Sequence, residues 1–108
     1  MTPTPPPIIP GRFNTILYCH KWSETVHFYE KQLGLTTVFR NDWFVEFQLR
    51  DHCFVSIANA ARATIEAVNG QGITHTLNVQ NLEEIHHYLQ TQGLNPTAIR
   101  PRWGAKLF

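Results

Sequence analysis

The side chains in this sequence that could do chemistry are a glutamate inside an apolar run and a set of histidines. Imidazole and carboxylate groups bind divalent metals and also transfer protons, so six histidines in 108 residues raise the question of a metal or active site. No two histidines have a spacing that places both rings on one face beside a carboxylate. Glu46, in WFVEFQL, is the first candidate. It could be a base or metal ligand, a ligand-recognition group, or an exposed strand residue.

The composition is typical of one small globular domain. The net charge is +1 and the Lys and Arg residues are scattered along the chain, which predicts no basic stripe for nucleic acid and no polybasic membrane anchor. No apolar run approaches the ~20 residues of a membrane span, and the Pro-rich start lacks the order of a signal peptide. We expect a cytoplasmic protein without nucleic-acid or membrane partners, in which Cys19 and Cys53 are buried reduced thiols.

The elements that must position these side chains begin after an extended or disordered Pro-rich tail, residues 1–12. Apolar and β-branched runs predict strands over Phe13–Cys19, 35–40, 43–50 and 52–59. A helix is predicted over 24–33, with Ser23 as its N-cap, Gly34 as its stop and an apolar face of Trp22, Val26, Tyr29 and Leu33.

The pattern restarts after a predicted loop over 60–72. A strand is predicted over 73–79, and a helix begins at the capping-box pair Asn81 and Glu84 and ends at Gly93. Strand-like segments follow at 96–100 and 105–108, with a turn over 101–104. We expect one domain over 13–108 with two modules, about 13–59 and 73–108.

Alternation along the strands predicts which side chains share a face. One apolar set should pack against the helices: Leu17, Cys19, Trp43, Val45, Phe47, Leu49, Val55, Ile57, Ile73, Leu77 and Val79. The opposite face is mixed polar and aromatic and suits a ligand site: Asn14, Ile16, Tyr18, His20, Phe44, Glu46, Gln48, Arg50, Phe54, Ser56, Ala58, Thr74, Thr76 and Asn78. His75 then faces the helices, where a structural role is expected, although a register slip of one residue would turn it to the other face.

The two modules have the order of a duplication, and Gly-Leu closes both predicted helices. Four segments resemble the vicinal oxygen chelate superfamily, which includes glyoxalase I, bleomycin-resistance proteins and extradiol dioxygenases: SETVHFYEKQLGL, WFVEFQL, LNVQNLEEIHHYLQTQGL and RWGAKLF. The resemblance implies an α+β fold in which two βαβββ modules form a curved, mixed-sheet cup with helices on its outer face. By that order we expect the second module to be incomplete, without its last strand. Superfamily members are usually dimers, so we expect a homodimer.

The resemblance also implies where a metal would bind. Metal-dependent members carry ligands at the positions of Asn14, Ser56 and Thr74, and a glutamate on the final strand, which we expect to be absent here. Hydroxyl and amide groups compensate poorly for the water stripped from a divalent ion. We therefore expect no metal cofactor. A divalent metal held by His75 and Glu46 is the alternative.

Three functions compete. The first is a metal-free small-molecule binding protein of the glyoxalase/bleomycin-resistance type, in which Tyr18, Phe44, Phe54 and Trp103 stack on an amphipathic or cationic ligand that Glu46 pairs. The second is a divalent-metal-dependent lyase, isomerase or dioxygenase with Glu46 as its catalytic proton shuttle. The third is a non-catalytic domain completed by strand pairing with a partner. The predicted ligand-binding residues are Asn14, Tyr18, Phe44, Gln48, Phe54, Ser56, Thr74, Thr76, Asn78 and Trp103.

Overall fold

The computed structural model describes residues 7–108, which divide into two compact parts at Gly72. We call the residues up to Gly72 the first part and Ile73–Phe108 the second part. Of the expected Pro-rich tail, residues 1–6 lie outside the described residues, and residues 7–12 contain no helix or strand.

The first part contains a four-stranded mixed sheet. Its strands are β1 (Phe13–Cys19), β2 (Thr36–Arg40), β3 (Phe44–Arg50) and β4 (Cys53–Asn59), in the spatial order β1-β4-β3-β2. β1 is parallel to β4, whereas β3 is antiparallel to both β4 and β2. The sequence predicts all four strands to within one residue at either end. This is one βαβββ module, because helix α1 (Trp22–His27) lies between β1 and β2 in the chain.

The core of the first part lies between the sheet and α1. Val45, Phe47, Val55 and Ile57 are almost fully buried and pack with Val26 of α1. Leu17, Cys19 and Leu49 contact this cluster from the same face of the sheet. The helix-facing set predicted from alternation is therefore confirmed within the first part. Trp43 is the exception: it lies in the bend before β3, and its ring packs against Phe44.

A bulge in β2 changes which side chains of that strand share a face. Thr37 lies opposite Phe47, but Phe39 lies opposite Glu46, so Val38 is the extra residue. Phe39 consequently belongs to the face of Glu46, opposite α1. Arg40 instead shares the helix side with Thr37.

Helix α1 begins earlier than predicted and ends in a wider turn. Its N-cap is Lys21, so the prediction of Ser23 as N-cap is wrong; the Thr25 hydroxyl bonds the Lys21 carbonyl instead. After His27 the chain forms a π-helical turn, Phe28–Gln32, in which the Leu33 amide donates to the Phe28 carbonyl five residues back. The predicted stop at Gly34 is confirmed, with φ of +70°.

The second part contains helix α2 (Leu82–Thr91) and a short hairpin. The predicted N-cap position of α2 is correct, although the Asn81 side chain bonds Glu84 rather than the backbone. At the other end the amides of Gly93 and Leu94 donate to the carbonyls of Gln90 and Leu89, which is a Schellman cap.

The hairpin consists of β5 (Arg100–Arg102) and β6 (Ala105–Leu107). The predicted strand over 96–100 is therefore misplaced towards the N-terminus. The reason is the turn: Trp103 and Gly104 both have positive φ, at 50° and 76°, so the turn needs only two residues.

The predicted strand over 73–79 does not form. These residues have no regular structure, and Ile73 and Leu77 are more than half exposed. A strand needs a neighbour for its backbone groups, and the strands of the second part, β5 and β6, pair with each other. The assignment of Ile73, Leu77 and Val79 to a face that packs against helices is therefore wrong.

Residues 7–108 form a small α+β fold with a curved, mixed sheet of four strands, two α-helices and a short second module. Among the described residues, no helix is both long and apolar enough to cross a membrane.

Candidate functional site

On the sheet face opposite α1, Arg12, Glu46 and Phe54 form one connected group. Glu46 lies on β3 and is 8% exposed, and the Arg12 guanidinium pairs with its carboxylate. The Arg12 Cζ atom lies 3.8 Å from the centre of the Phe54 ring on β4. A largely buried carboxylate and an aromatic face therefore hold one planar cation between them.

A second polar pair lies beside this group. Ser56 on β4 is fully buried, and its hydroxyl donates a hydrogen bond of 2.9 Å to Oδ1 of Asn14 on β1. Ser56 also lies directly opposite Glu46 in the β3–β4 register. The sheet register thus brings four of the predicted site residues together in the first part: Asn14, Glu46, Phe54 and Ser56.

Aromatic side chains flank the polar group towards the other end of β3. Tyr18 on β1 and Phe44 on β3 are register neighbours of Ala58, one on each side of β4. Phe44 also meets the rings of Phe39 and Trp43, with centroid distances of 6.1 and 5.5 Å. Both Tyr18 and Phe44 are half-buried, which leaves part of each ring open for stacking.

Gln48 lies at the opposite end of β3, beside Phe54 in the register. With Thr36 and the β3–β4 turn it lines a shallow depression of about 300 Å³, whose other lining residues are Leu49, Arg50 and Asp51. The depression is open to solvent, so it suits a polar group of a ligand better than a buried apolar one.

The remaining predicted site residues belong to the second part. Thr74, Thr76 and Asn78 are exposed and lie in the irregular segment 73–79, so alternation no longer assigns them a face. The same holds for His75. Trp103 is 88% exposed at the β5–β6 turn. These residues stay predictions for the site.

The positions where a metal would be expected do not suit one. Asn14 and Ser56 are hydrogen-bonded to each other, and the Glu46 carboxylate already pairs with a guanidinium. Within residues 7–108, no group of three or more His, Cys, Asp or Glu side chains could hold a metal ion. The donor set on this face therefore does not fit a divalent metal.

The helix side of the sheet carries groups with a structural role. Burial raises the pKa of the Cys19 thiol, and it likewise raises the pKa of the Tyr29 hydroxyl. Cys19 and Cys53 are both free and half-buried. A thiol with a raised pKa is mostly protonated at neutral pH, so Cys19 is a poor nucleophile.

Two residues on the sheet face opposite α1, Arg12 and Phe39, are not predicted from the sequence. Arg12 precedes the first strand, so strand alternation says nothing about its side chain. No face is predicted for the strand over 35–40, and regular alternation would not have found Phe39, because the bulge at Val38 is what turns it to the side of Glu46. The sequence carries one indirect signal, because a carboxylate buried in WFVEFQL requires a cation, and Arg12, directly before β1, is a basic residue that can supply it.

A comparison with solved structures gives a similar fold in the crystal structure of lactoylglutathione lyase from Agrobacterium tumefaciens. The TM-score is 0.60, and the match covers 90% of this chain and 78% of that chain. The chain has a glyoxalase-type fold. The identity is 16%, so the likeness shows the fold alone. No protein-family model matches the sequence, and neither does any curated protein.

Proposed function

We propose that this chain is a small-molecule binding protein of the vicinal oxygen chelate superfamily, of the bleomycin-resistance kind, that works without a metal. The observation that carries the proposal is the sheet face opposite α1. This face combines the hydrogen-bonded Asn14–Ser56 pair and the largely buried Glu46 with half-buried aromatic rings. Convergent polar groups among aromatic side chains are typical of a ligand site.

The likeness in fold to a lactoylglutathione lyase supports the superfamily assignment. Hydroxyl, amide and ion-paired carboxylate groups at the expected ligand positions favour binding over metal-assisted catalysis. The ligand we propose is an amphipathic or cationic aromatic molecule, because ring faces and a carboxylate both attract positive charge. We also propose that the protein forms a homodimer in the cytoplasm.

The binding proposal is tested by NMR titration of the isolated protein with a panel of small aromatic compounds, cationic and neutral. We expect saturable shifts of the β3 and β4 amides, among them those of Glu46 and Ser56. Phe44→Ala should weaken that binding, because it removes a stacking surface. Phe13→Ala is the matched control, since Phe13 is an exposed ring on β1 outside this group. Absence of any saturable response, or equal loss in both variants, would contradict the proposal.

The metal-free part of the proposal is tested separately by elemental analysis of protein purified without chelator or added metal. We expect well under about one divalent ion per chain, because the donor set is poor in carboxylate and imidazole groups. Stoichiometric zinc, nickel, manganese or iron would overturn this part and favour a metal-dependent enzyme.

A further inference from the structure

The cation between Glu46 and Phe54 belongs to the chain itself. Arg12 comes from the irregular segment 7–12, whereas its two partners lie on adjacent central strands of the sheet. The side chain of Glu46 is 11% exposed and that of Arg12 is 49% exposed. The carboxylate and the ring are thus held by the central strands of the sheet, whereas the guanidinium that lies between them is half-exposed.

The chemistry of this contact is that of a receptor for a planar cation. A guanidinium donates hydrogen bonds to a carboxylate in its own plane and stacks its face on an aromatic ring. Because Glu46 is buried, its charge requires a cation in this position, whether from Arg12 or from another molecule.

Arg12 can leave without unfolding the sheet. The backbone is anchored one residue later, where the Phe13 amide donates a hydrogen bond of 2.7 Å to the His52 carbonyl. Among residues 7–108, the Arg12 side chain contacts Glu46 and Phe54, and its rotation into solvent breaks those two contacts. A half-exposed arginine regains hydration when it turns outward, which limits the cost of that rotation.

We infer that Glu46 and Phe54 form a binding site for guanidinium or amidinium groups, and that Arg12 occupies it as an intramolecular competitor until a ligand displaces it. The inference rests on the proposed function and narrows its ligand class to molecules that carry a planar, delocalised cation. It also gives the segment before β1 a role in binding. Arg12 excludes an external ligand for the fraction of time in which it occupies the site, and this lowers the apparent affinity of that ligand.

The test removes the competitor and supplies a small probe. N-ethylguanidinium is titrated into the wild type, Arg12→Ala and Arg12→Met, with amide shifts of Glu46 and Phe54 as the readout. We expect both variants to bind the probe at least about tenfold more tightly than the wild type, since the site is no longer filled from within. The neutral isostere N-ethylurea should not bind. Arg12→Met keeps an aliphatic stem over Phe54, so a folded variant is available even if Arg12→Ala loses structure.

The double variant Arg12→Met/Glu46→Gln gives the decisive control. It keeps the shape of the site and removes its charge, so we expect binding of the probe to be lost. Equal affinity of wild type and both Arg12 variants, or retained binding in the double variant, would overturn the inference. Failure here leaves the wider proposal standing if aromatic ligands still shift β3 and β4 in a Phe44-dependent manner; failure of both titrations overturns both.

Discussion

A carboxylate that lies largely out of water needs a counter-charge, and Glu46 has one in Arg12. This pairing bears on what Glu46 can do. A general base must lie within hydrogen-bond reach of the proton it takes, and the Glu46 side chain is 11% exposed with Arg12 on its Oε2 atom, which leaves little room for a substrate beside it. Recognition of a cation needs only an exchange of one partner for another. At the scale of single residues, the contact therefore favours binding over proton transfer.

Glu30 is another carboxylate with a counter-charge, and it lies on the helix side of the sheet. Two side chains donate hydrogen bonds to it. Thr37 donates a hydrogen bond of 2.8 Å to its Oε2 atom, and Arg40 pairs with the same oxygen. The bond from Thr37 and then that from Arg40 lower the pKa of Glu30 from its ordinary value. Both donors reach it because the bulge at Val38 puts residues 37 and 40 on one side of β2.

The lowered pKa predicts a pH-dependent contribution to folding. Because the pKa is lower in the folded than in the unfolded state, the stabilisation is present above the unfolded pKa and is lost as the pH falls through the folded pKa. We expect Glu30→Gln to destabilise the protein at neutral pH and to flatten the fall of its free energy of unfolding below about pH 5. Urea unfolding at a series of pH values measures this.

Glu66→Gln is the matched control for Glu30→Gln, because Glu66 is an exposed acid in the loop after β4. It should leave the pH profile of the free energy of unfolding unchanged. If the profiles of Glu30→Gln and the wild type run parallel in acid, the Thr37 and Arg40 contacts do not stabilise the folded state.

Strand alternation predicts much of the candidate site but only where the chain is a regular strand. Glu46, Phe54 and Ser56 lie on long, continuous strands, and their shared face follows from the period of two. Arg12 lies before the first strand, and Phe39 follows a bulge. Neither position carries a local sequence signal that reveals its face, since the bulge and the ion pair form only when distant residues meet.

At the scale of elements, the two helices end in related but unequal caps. In α2 the Leu94 amide bonds the Leu89 carbonyl, five residues back. After α1 the Leu35 amide bonds the Tyr29 carbonyl, six residues back. The sequence shows the same difference, because the spacing from Cys19 to Gly34 exceeds that from Val79 to Gly93 by one residue. The π-helical turn holds this additional residue.

Removal of one exposed residue from the π turn should therefore convert it into an ordinary helical turn. Deletion of Lys31 shortens the span from Phe28 to Leu33 from five residues to four, and that from Tyr29 to Leu35 from six to five, as in α2. We expect the free energy of unfolding to change by less than about 1 kcal/mol. Urea unfolding followed by circular dichroism measures it.

Deletion of Glu24 is the control within α1. Glu24 is also exposed, but its removal rotates Trp22 away from the face that carries Val26 and breaks packing with the core. This deletion should cost at least about 2 kcal/mol, as loss of a large core contact does. A Lys31 deletion that costs as much as the Glu24 deletion would show that the π turn is not an insertion in a helix.

The segment 73–79 shows why strand pattern alone does not make a strand. Its apolar and β-branched residues resemble those of β1 in type. β1 pairs with β4 along its whole length, whereas 73–79 has no strand neighbour within the second part. The preference of these residues for strand structure stabilises little without a neighbouring strand, because every unpaired backbone group must then remain hydrogen-bonded to water.

At the scale of the whole molecule, the first part has a sheet with two outer strands, β1 and β2. β1 has β4 as its one neighbour in this sheet and exposes Phe13 and Ile16. An outer strand with exposed apolar side chains is a template for pairing with another chain. The proposed homodimer would use this edge.

The direction of the β1 amides makes that proposal testable. The Phe13 amide points towards β4, so by alternation the amides of Asn14, Ile16 and Tyr18 point away from it. Ile16→Pro removes one outward amide and leaves the bonds to β4 in place. We expect the wild type to sediment as a concentration-dependent dimer and Ile16→Pro to remain a monomer. Ile16→Thr keeps the amide and should still dimerise, whereas a monomeric wild type at high concentration, or a dimeric Ile16→Pro, would exclude pairing through β1.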